Sequence, residues 1–426
     1  MTIPVTKKIL DNGLTVILKE MHHAEVATFM IWYRVGSRNE KPGITGISHW
    51  VEHMMFKGTP DFPDGTLDRA VSREGGYWNA FTWIDFTAYY ETLPSNRIDL
   101  GLRLEADRMK STIMTPEEVE SERTVILSER GMYENDPRFL LSEELTSAAF
   151  RVHPYHHEVI GDVADLQTMT RDDLYGYYQQ YYAPNNAIAV VVGDFETETM
   201  LARIDELFGS IPAGNPVPPV TRQEPKQKGE RRVVVNGLSE TAHLIFAYRV
   251  PGATHPDYYP LVLLNAAFTG GSSLGMFAGG GSNNSSRLYK ALVKTGLAAG
   301  ASGGLGPTVD PYLYTINAVV NAGKSLAEVE TALETEIDRL ATEPITQAEL
   351  DKARKRAKAQ FVMAGESISG QAQLLGAAEA TAGDYRWYEN TLDGLQAVTL
   401  DDIERVRQMY LQKKNRTVGW YEQEVV

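Results

Sequence analysis

His49-Trp50-Val51-Glu52-His53 is the stretch whose reading decides the rest of the chain. At about 100° per residue on an α-helix, His49 and His53 stand roughly 40° apart around the axis, so both imidazoles reach one ion. Glu52 falls on the same side. Neutral imidazole is a common zinc ligand, and a catalytic zinc site usually takes three protein ligands and leaves its fourth position to water. A carboxylate one residue before the second histidine can sit beside that water rather than on the metal, which is the place of a general base. The order is H-x-x-E-H, the inverse of H-E-x-x-H. With nine histidines in the chain, the pattern arises by chance on the order of once per hundred chains. A third ligand and a fitting context must come from the remaining sequence.

The chain has 426 residues, 43% hydrophobic and 23% charged, too long for one ordinary domain and ample for a large core. A net charge of -15, with no block of Lys and Arg to track phosphates, argues against nucleic acid and anionic membranes as partners. The absence of cysteine excludes a disulfide framework, a thiolate metal site and a cysteine nucleophile. No apolar run approaches the roughly 20 residues that span a bilayer. The opening Met1 to Lys8 lacks the basic-then-apolar layout of a secretory signal. The expectation is a cytoplasmic protein that stays where it is made.

Asn12-Gly13 between apolar runs predicts a hairpin. Strands are expected at 27–35, 77–82 and 86–92, with helices over 43–56, 66–74, 97–110 and 116–133; Pro116 after Thr115 with Glu117 and Glu118 is a good helix start. That last helix carries Glu122 and Glu129 on one face, seven residues apart. Either completes the zinc site as far as helix geometry goes. A buried strand at 186–195 and a helix at 196–208 follow. Residues 210–230, with five prolines, then form a connector between domains at 1–209 and 231–426. Beyond it the order of elements returns: strands at 232–235 and 243–250, a helix at 256–268, strands at 298–304 and 312–320, and helices at 326–340 and 347–363. The fold class is therefore α+β, two related halves, each a mostly antiparallel sheet covered by helices. Only the first half holds the His49 and His53 pair.

Several blocks together resemble one family. They are His49 to Thr59, Gly75 to Tyr90, Glu122 to Glu129, His153-Pro154-Tyr155 with Gly161, and Ser286-Arg287-Leu288-Tyr289. The chain resembles the pitrilysin-type inverted zinc metallopeptidases, in the bacterial branch related to the mitochondrial processing peptidase β subunit, over nearly its whole length. The resemblance implies Zn²⁺ as cofactor, Glu129 as third ligand beside His49 and His53, Glu52 as the base, and Glu122 as a supporting acid. It also implies that 77–82 is an open sheet edge to which a peptide substrate adds as a strand, with Asn79, Ala80 and Phe81 in contact. Ordinary sheet packing is the other reading of Phe81 and Trp78. The histidines at 153, 156 and 157 are not expected on the metal.

Two departures stand out. Self-sufficient relatives carry an Arg and a Tyr in their second half that assist the oxyanion; the corresponding positions here are Val293 and Ala299. Losing such donors costs ~3 kcal/mol or more of transition-state stabilisation. A homologous subunit carrying the pair would restore them, so the expectation is a clam-like peptidase chamber closed by a dimer partner, a heterodimer first and a homodimer second. The other departure is the glycine-rich run 270–281, similar to the substrate-handling loop of the processing peptidase's non-catalytic subunit. The alternative functions are a non-catalytic assembly subunit, which commonly loses the ligands, and a peptide-binding chain that keeps zinc without turning over alone.

Overall fold

The apolar runs of the first half extend as β1 (Thr6–Ile9), β2 (Thr15–Glu20), β3 (Val26–Tyr33), β4 (Tyr77–Thr82), β5 (Thr87–Pro94) and β6 (Ala187–Gly193). These come from a computed structural model that describes residues 4–63, 65–271 and 284–424. The six strands form one sheet in the order β1-β2-β6-β3-β5-β4. β2 and β6 are parallel and all other neighbours antiparallel. β6, a continuous apolar run, is buried at every position, as a strand covered on both faces requires. β1 and β2 make the expected hairpin, with Gly13 at φ 90 in their connection, a left-handed conformation that favours glycine. Among the described residues β4 lies at the edge of the sheet and pairs with β5 from Tyr77↔Thr92 to Thr82↔Thr87. Alternation puts Trp78, Ala80 and Thr82 on one face and Tyr77, Asn79 and Phe81 on the other.

The second sheet comprises β7 (Arg231–Gly237), β8 (His243–Val250), β9 (Ala298–Gly304), β10 (Tyr312–Val320) and β11 (Arg416–Gln423), in the order β7-β11-β8-β10-β9. Again one pair, β7 with β11, is parallel and the others are antiparallel. Setting β7, β11, β8, β10 and β9 against β2, β6, β3, β5 and β4 reproduces both order and sense. The repeat read in the sequence is a repeat of topology.

The helices that matter for the site and its support are α1 (Ile47–Met54), α2 (Leu67–Arg73), α3 (Asp99–Ser111), α4 (Pro116–Tyr133), α5 (Pro137–Ala149), α6 (Val163–Thr168), α7 (Arg171–Tyr181), α8 (Thr197–Phe208), α9 (Tyr258–Phe268), α10 (Leu326–Thr342), α11 (Gln347–Ala364) and α12 (Ile368–Ala382). No helix among the described residues is long and apolar enough to cross a membrane. The chain divides into a unit of Met1–Arg130, His157–Arg222 and Gly365–Tyr388, and a unit of Gly131–His156, Gln223–Ala364 and Glu389–Val426. A linear division at 210–230 thus misses two crossings: α5 belongs to the second unit and α12 to the first.

Each crossing covers a sheet face that would otherwise be left wet. In the first unit α12 lies on β3 and β6, with Gly376 so close to the Trp32 indole that a Cβ there would fall 2.1 Å from Nε1. Its buried Glu379 accepts from Lys7 Nζ at 2.7 Å and from Arg34 at 3.3 Å, pairing a charge that burial alone would make costly. In the second unit α5 lies on β7, β8 and β11, where Leu141 and Leu145 occupy the space over Gly419. Within the same unit Glu224, from the proline-rich stretch, accepts the backbone N–H groups of Arg151, Val152 and His153 at 2.8, 2.8 and 3.2 Å. That part of the connector is therefore anchored rather than free.

Candidate metal centre

The site begins with how α1 is started. Gly46, at φ 87, precedes it and faces Gly161, at φ 83; a Cβ on Gly46 would lie 2.5 Å from the Ile160 carbonyl oxygen, and one on Gly161 would lie 2.3 Å from that of Thr45. Only glycine admits this approach. The Glu40 carboxylate accepts the N–H groups of Gly46 and Ser48 at 2.8 and 2.9 Å, which places an anion at the positive end of the helix. His157 Nε2 lies 2.8 Å from the same carboxylate, so that histidine supports the helix start rather than a metal. His153 is likewise engaged elsewhere, 3.0 Å from Asp310. Trp50, Val51 and Met54 are fully buried, which fixes the rotation of α1 and leaves His49 and His53 together on another side.

Their rings lie 4.5 Å apart, centroid to centroid. α4 brings Glu129 opposite them, with Oε2 3.8 Å from His49 Nε2 and 3.6 Å from His53 Nε2. One potential ligand atom from each residue lies within 4.8 Å of the others, the sole such grouping of three or more among the described residues. Two turns earlier on α4, Glu122 places Oε1 2.7 Å from His53 Nδ1 and Oε2 2.5 Å from Lys57 Nζ. An ionised Glu122 makes Nδ1 the protonated nitrogen of neutral His53 and turns the Nε2 lone pair toward Glu129. This is the carboxylate support that metal-ligating histidines commonly have. Two imidazoles and one carboxylate are a donor set suited to zinc, with one histidine already held in its ligand tautomer.

The electrostatics of the metal-free chain agree with these roles. Burial pushes His49 down to about 3, helped by the neighbouring His53, so this imidazole is neutral at ordinary pH. Burial disfavours charge on His53, but the Glu122 hydrogen bond and the surrounding carboxylates raise it above its ordinary value. Burial would also raise Glu122, yet the hydrogen bonds from His53 and Lys57 outweigh it and hold Glu122 below the usual carboxylate range. Glu52, 7% exposed, is pushed up to about 7 by burial against the opposing hydrogen bond from Thr82. Tyr33, Tyr89 and Tyr182, packed edge-on or tilted against one another, are all buried.

The structure sorts the other named residues. On β4, Ala80 shares the Thr82 face and Asn79 the opposite one, while Phe81 packs edge-on against Trp32 at 5.6 Å and near Phe86 at 6.3 Å. Trp78 lies 4.6 Å from Phe56, and the Arg108 guanidinium sits over both rings at 5.1 and 5.0 Å. The packing reading of Phe81 and Trp78 therefore holds for their side chains. Val293 ends the helical turn Tyr289–Val293 and Ala299 lies on β9. Arg287 bonds Glu349 and the Glu343 and Pro344 carbonyls, a helix-end role. Residues 272–281 of the glycine-rich run lie outside the described residues. Sequence reasoning missed Thr82, whose Oγ1 is 2.6 Å from Glu52 Oε2, and the part of Lys57. Strand alternation could have found Thr82, which it places two residues from Ala80 on the same face.

A repeated α+β scaffold whose first half alone brings two histidines and a glutamate together, with a second glutamate between the histidines, defines an inverted zinc-peptidase type of site. Comparison with known proteins agrees. The family described as "Insulinase (Peptidase family M16)" matches residues 15–163, and "Peptidase M16 inactive domain" matches 168–357. All five acidic and imidazole groups of the site fall in the first. Zinc protease PqqE of Helicobacter pylori is 32% identical over 373 residues, covering 86% of this chain and 81% of that protein. Mitochondrial-processing peptidase subunit beta of Lentinula edodes is 27% identical over 410 residues, covering 95% and 87%. The crystal structure of a protease from Helicobacter pylori matches with a TM-score of 0.92 at 28% identity, over 99% of this chain and 100% of that one. The chain belongs to peptidase family M16.

Proposed function

We propose that this chain is a zinc-dependent endopeptidase that hydrolyses peptides or short unfolded segments in a closed chamber, as the metal-bearing member of a dimer. The observation that carries the reading is the convergence of His49, His53 and Glu129, with Glu122 behind His53 and Glu52 on the same helix. His49, His53 and Glu129 would hold the ion. When bound, zinc supplies Lewis acidity, acidifying water and offsetting negative charge on the scissile carbonyl oxygen. The ionised Glu52 carboxylate takes the proton of the attacking water and returns it to the leaving amine. Glu122 keeps the His53 ring in place. The outer edge of β4 receives an extended substrate by main-chain hydrogen bonds along Asn79, Ala80 and Phe81.

The absence of an Arg and a Tyr at Val293 and Ala299 favours a second reading, a zinc-holding, peptide-binding chain that needs a homologous subunit for turnover. The test is cleavage of a quenched fluorescent peptide by the zinc-loaded chain, alone and with a homologue carrying the Arg/Tyr pair. Glu52→Gln is the control. Cleavage by the chain alone, abolished by Glu52→Gln, establishes the peptidase and removes the need for a heterodimer. Cleavage only with the homologue establishes the two-chain enzyme. No cleavage in either case overturns the proposal.

A further inference from the structure

Thr82 belongs to two structures at once. Its backbone closes the β4–β5 ladder opposite Thr87, at the last position of the sheet edge, and its hydroxyl lies 2.6 Å from Glu52 Oε2. Hydrogen accounting shows where that hydroxyl's single proton goes. Thr87 Oγ1 donates its own proton to the Val35 carbonyl at 2.9 Å, so the 3.3 Å contact between the two threonine hydroxyls offers Thr82 only a longer, neutral acceptor. The Glu52 carboxylate is nearer and, in the ionised form a general base needs, charged, and charge-assisted hydrogen bonds are the stronger ones. Glu52 is flexible in principle, with three side-chain torsions. Among the described residues Thr82 is the one side chain whose hydroxyl holds it.

We infer that Thr82 is a positioning residue, which fixes the orientation of the Glu52 carboxylate and ties it to the strand edge. The inference rests on the reading of Glu52 as general base. A base must present a particular oxygen to the water it deprotonates, and misplacement by about 1 Å costs on the order of 100-fold in rate. The effect therefore falls on turnover. Substrate laid along the outer edge of β4 uses main-chain groups, which a change of the Thr82 side chain leaves in place, and the metal-ligand cluster does not include Thr82.

The experiment compares wild type, Thr82→Val, Thr82→Ser and Glu52→Gln, each zinc-loaded and assayed with whatever subunit wild type needs. Valine keeps the shape and loses the hydroxyl; serine keeps the hydroxyl. Removing a hydrogen bond to a charged group predicts that kcat of Thr82→Val falls about 10- to 100-fold, with KM and zinc stoichiometry unchanged. Thr82→Ser returns to within about threefold of wild type, as expected if the hydroxyl rather than the methyl group acts. A crystal structure of Thr82→Val should show the Glu52 carboxylate rotated or in several orientations, a readout independent of activity. Wild-type kcat in Thr82→Val, a serine variant as impaired as the valine variant, or loss of zinc from Thr82→Val overturns the inference. An inactive wild type instead overturns the reading on which it rests, and then the unchanged or rotated Glu52 carboxylate in the Thr82→Val structure still decides whether Thr82 positions it.

Discussion

The Glu122 carboxylate faces two donors, and one substitution separates what each contributes. Its two oxygens are 2.7 Å from His53 Nδ1 and 2.5 Å from Lys57 Nζ, and the residue is 5% exposed. Glutamine keeps the shape but has one acceptor oxygen and one NH₂ group. If its oxygen faces His53, its NH₂ meets the Lys57 ammonium, donor against donor; if it faces Lys57, the NH₂ meets the protonated Nδ1. The ammonium is the stronger competitor for the oxygen, so His53 loses its acceptor and with it the fixed ring and tautomer. Removing such support costs about 10- to 100-fold in metal affinity, which is about 1.4–2.7 kcal/mol. Zinc affinity is measured by competition with a chromophoric chelator at fixed pH. Glu122→Gln should bind 10- to 100-fold more weakly, by that same estimate. The double variant Glu122→Gln/Lys57→Met frees the amide oxygen for His53 and should recover to within about threefold of wild type. Glu122→Gln binding zinc as tightly as wild type would refute the reasoning, as would a double variant no better than the single one.

Three further outcomes are expected. Zinc at a hundred times its Kd should stabilise the folded chain by about 2.7 kcal/mol, read as a rise in the thermal midpoint; His49→Ala and Glu129→Gln should abolish the rise while leaving the metal-free midpoint unchanged. Gly376→Ala should lower unfolding free energy by about 1–3 kcal/mol, measured by urea denaturation, because the added methyl meets the Trp32 indole; an unchanged midpoint would mean that α12 is not seated on β3 as described. Hydrogen bonds from Arg287, with help from Thr346, pull Glu349 down from 4.5 to about 2. A lowered carboxylate stabilises the fold above its unfolded value and loses that contribution as pH falls toward its folded value. The stability gap between wild type and Glu349→Gln should thus be constant above about pH 5, at about 1 kcal/mol or less because the pair is partly exposed, and should shrink between pH 4.5 and pH 2. A gap that widens on acidification would contradict the sign.

What the sequence made legible follows from range. Residues four apart on one helix, and seven apart on another, keep their spacing whatever the rest of the chain does, so His49, His53, Glu122 and Glu129 could be placed by periodicity. Strands 77–82, 243–250, 298–304 and 312–320 and helix 116–133 fall where their apolar patterns end them. Helix geometry could not choose between Glu122 and Glu129; the choice depends on the distance from α4 to α1, and the structure brings Glu129 to both Nε2 atoms and Glu122 to Nδ1. α5 and α12 were unread because Ser, Thr, Gly, Ala and Glu fall among their apolar residues, blurring the stripe that marks a surface helix. Their destinations are set by sheet faces far away in sequence. β11 was unread for a related reason, since its parallel partner β7 precedes it by nearly the whole second half. Thr82 shows the same limit at the scale of one atom. Alternation fixes its face, but that its hydroxyl meets Glu52 depends on β4 and α1, thirty residues apart, being packed together. The pieces of the site that sequence can fix are those carried by one element, and the pieces it leaves open are the contacts between elements, which is where orientation of the base and the ligands is decided.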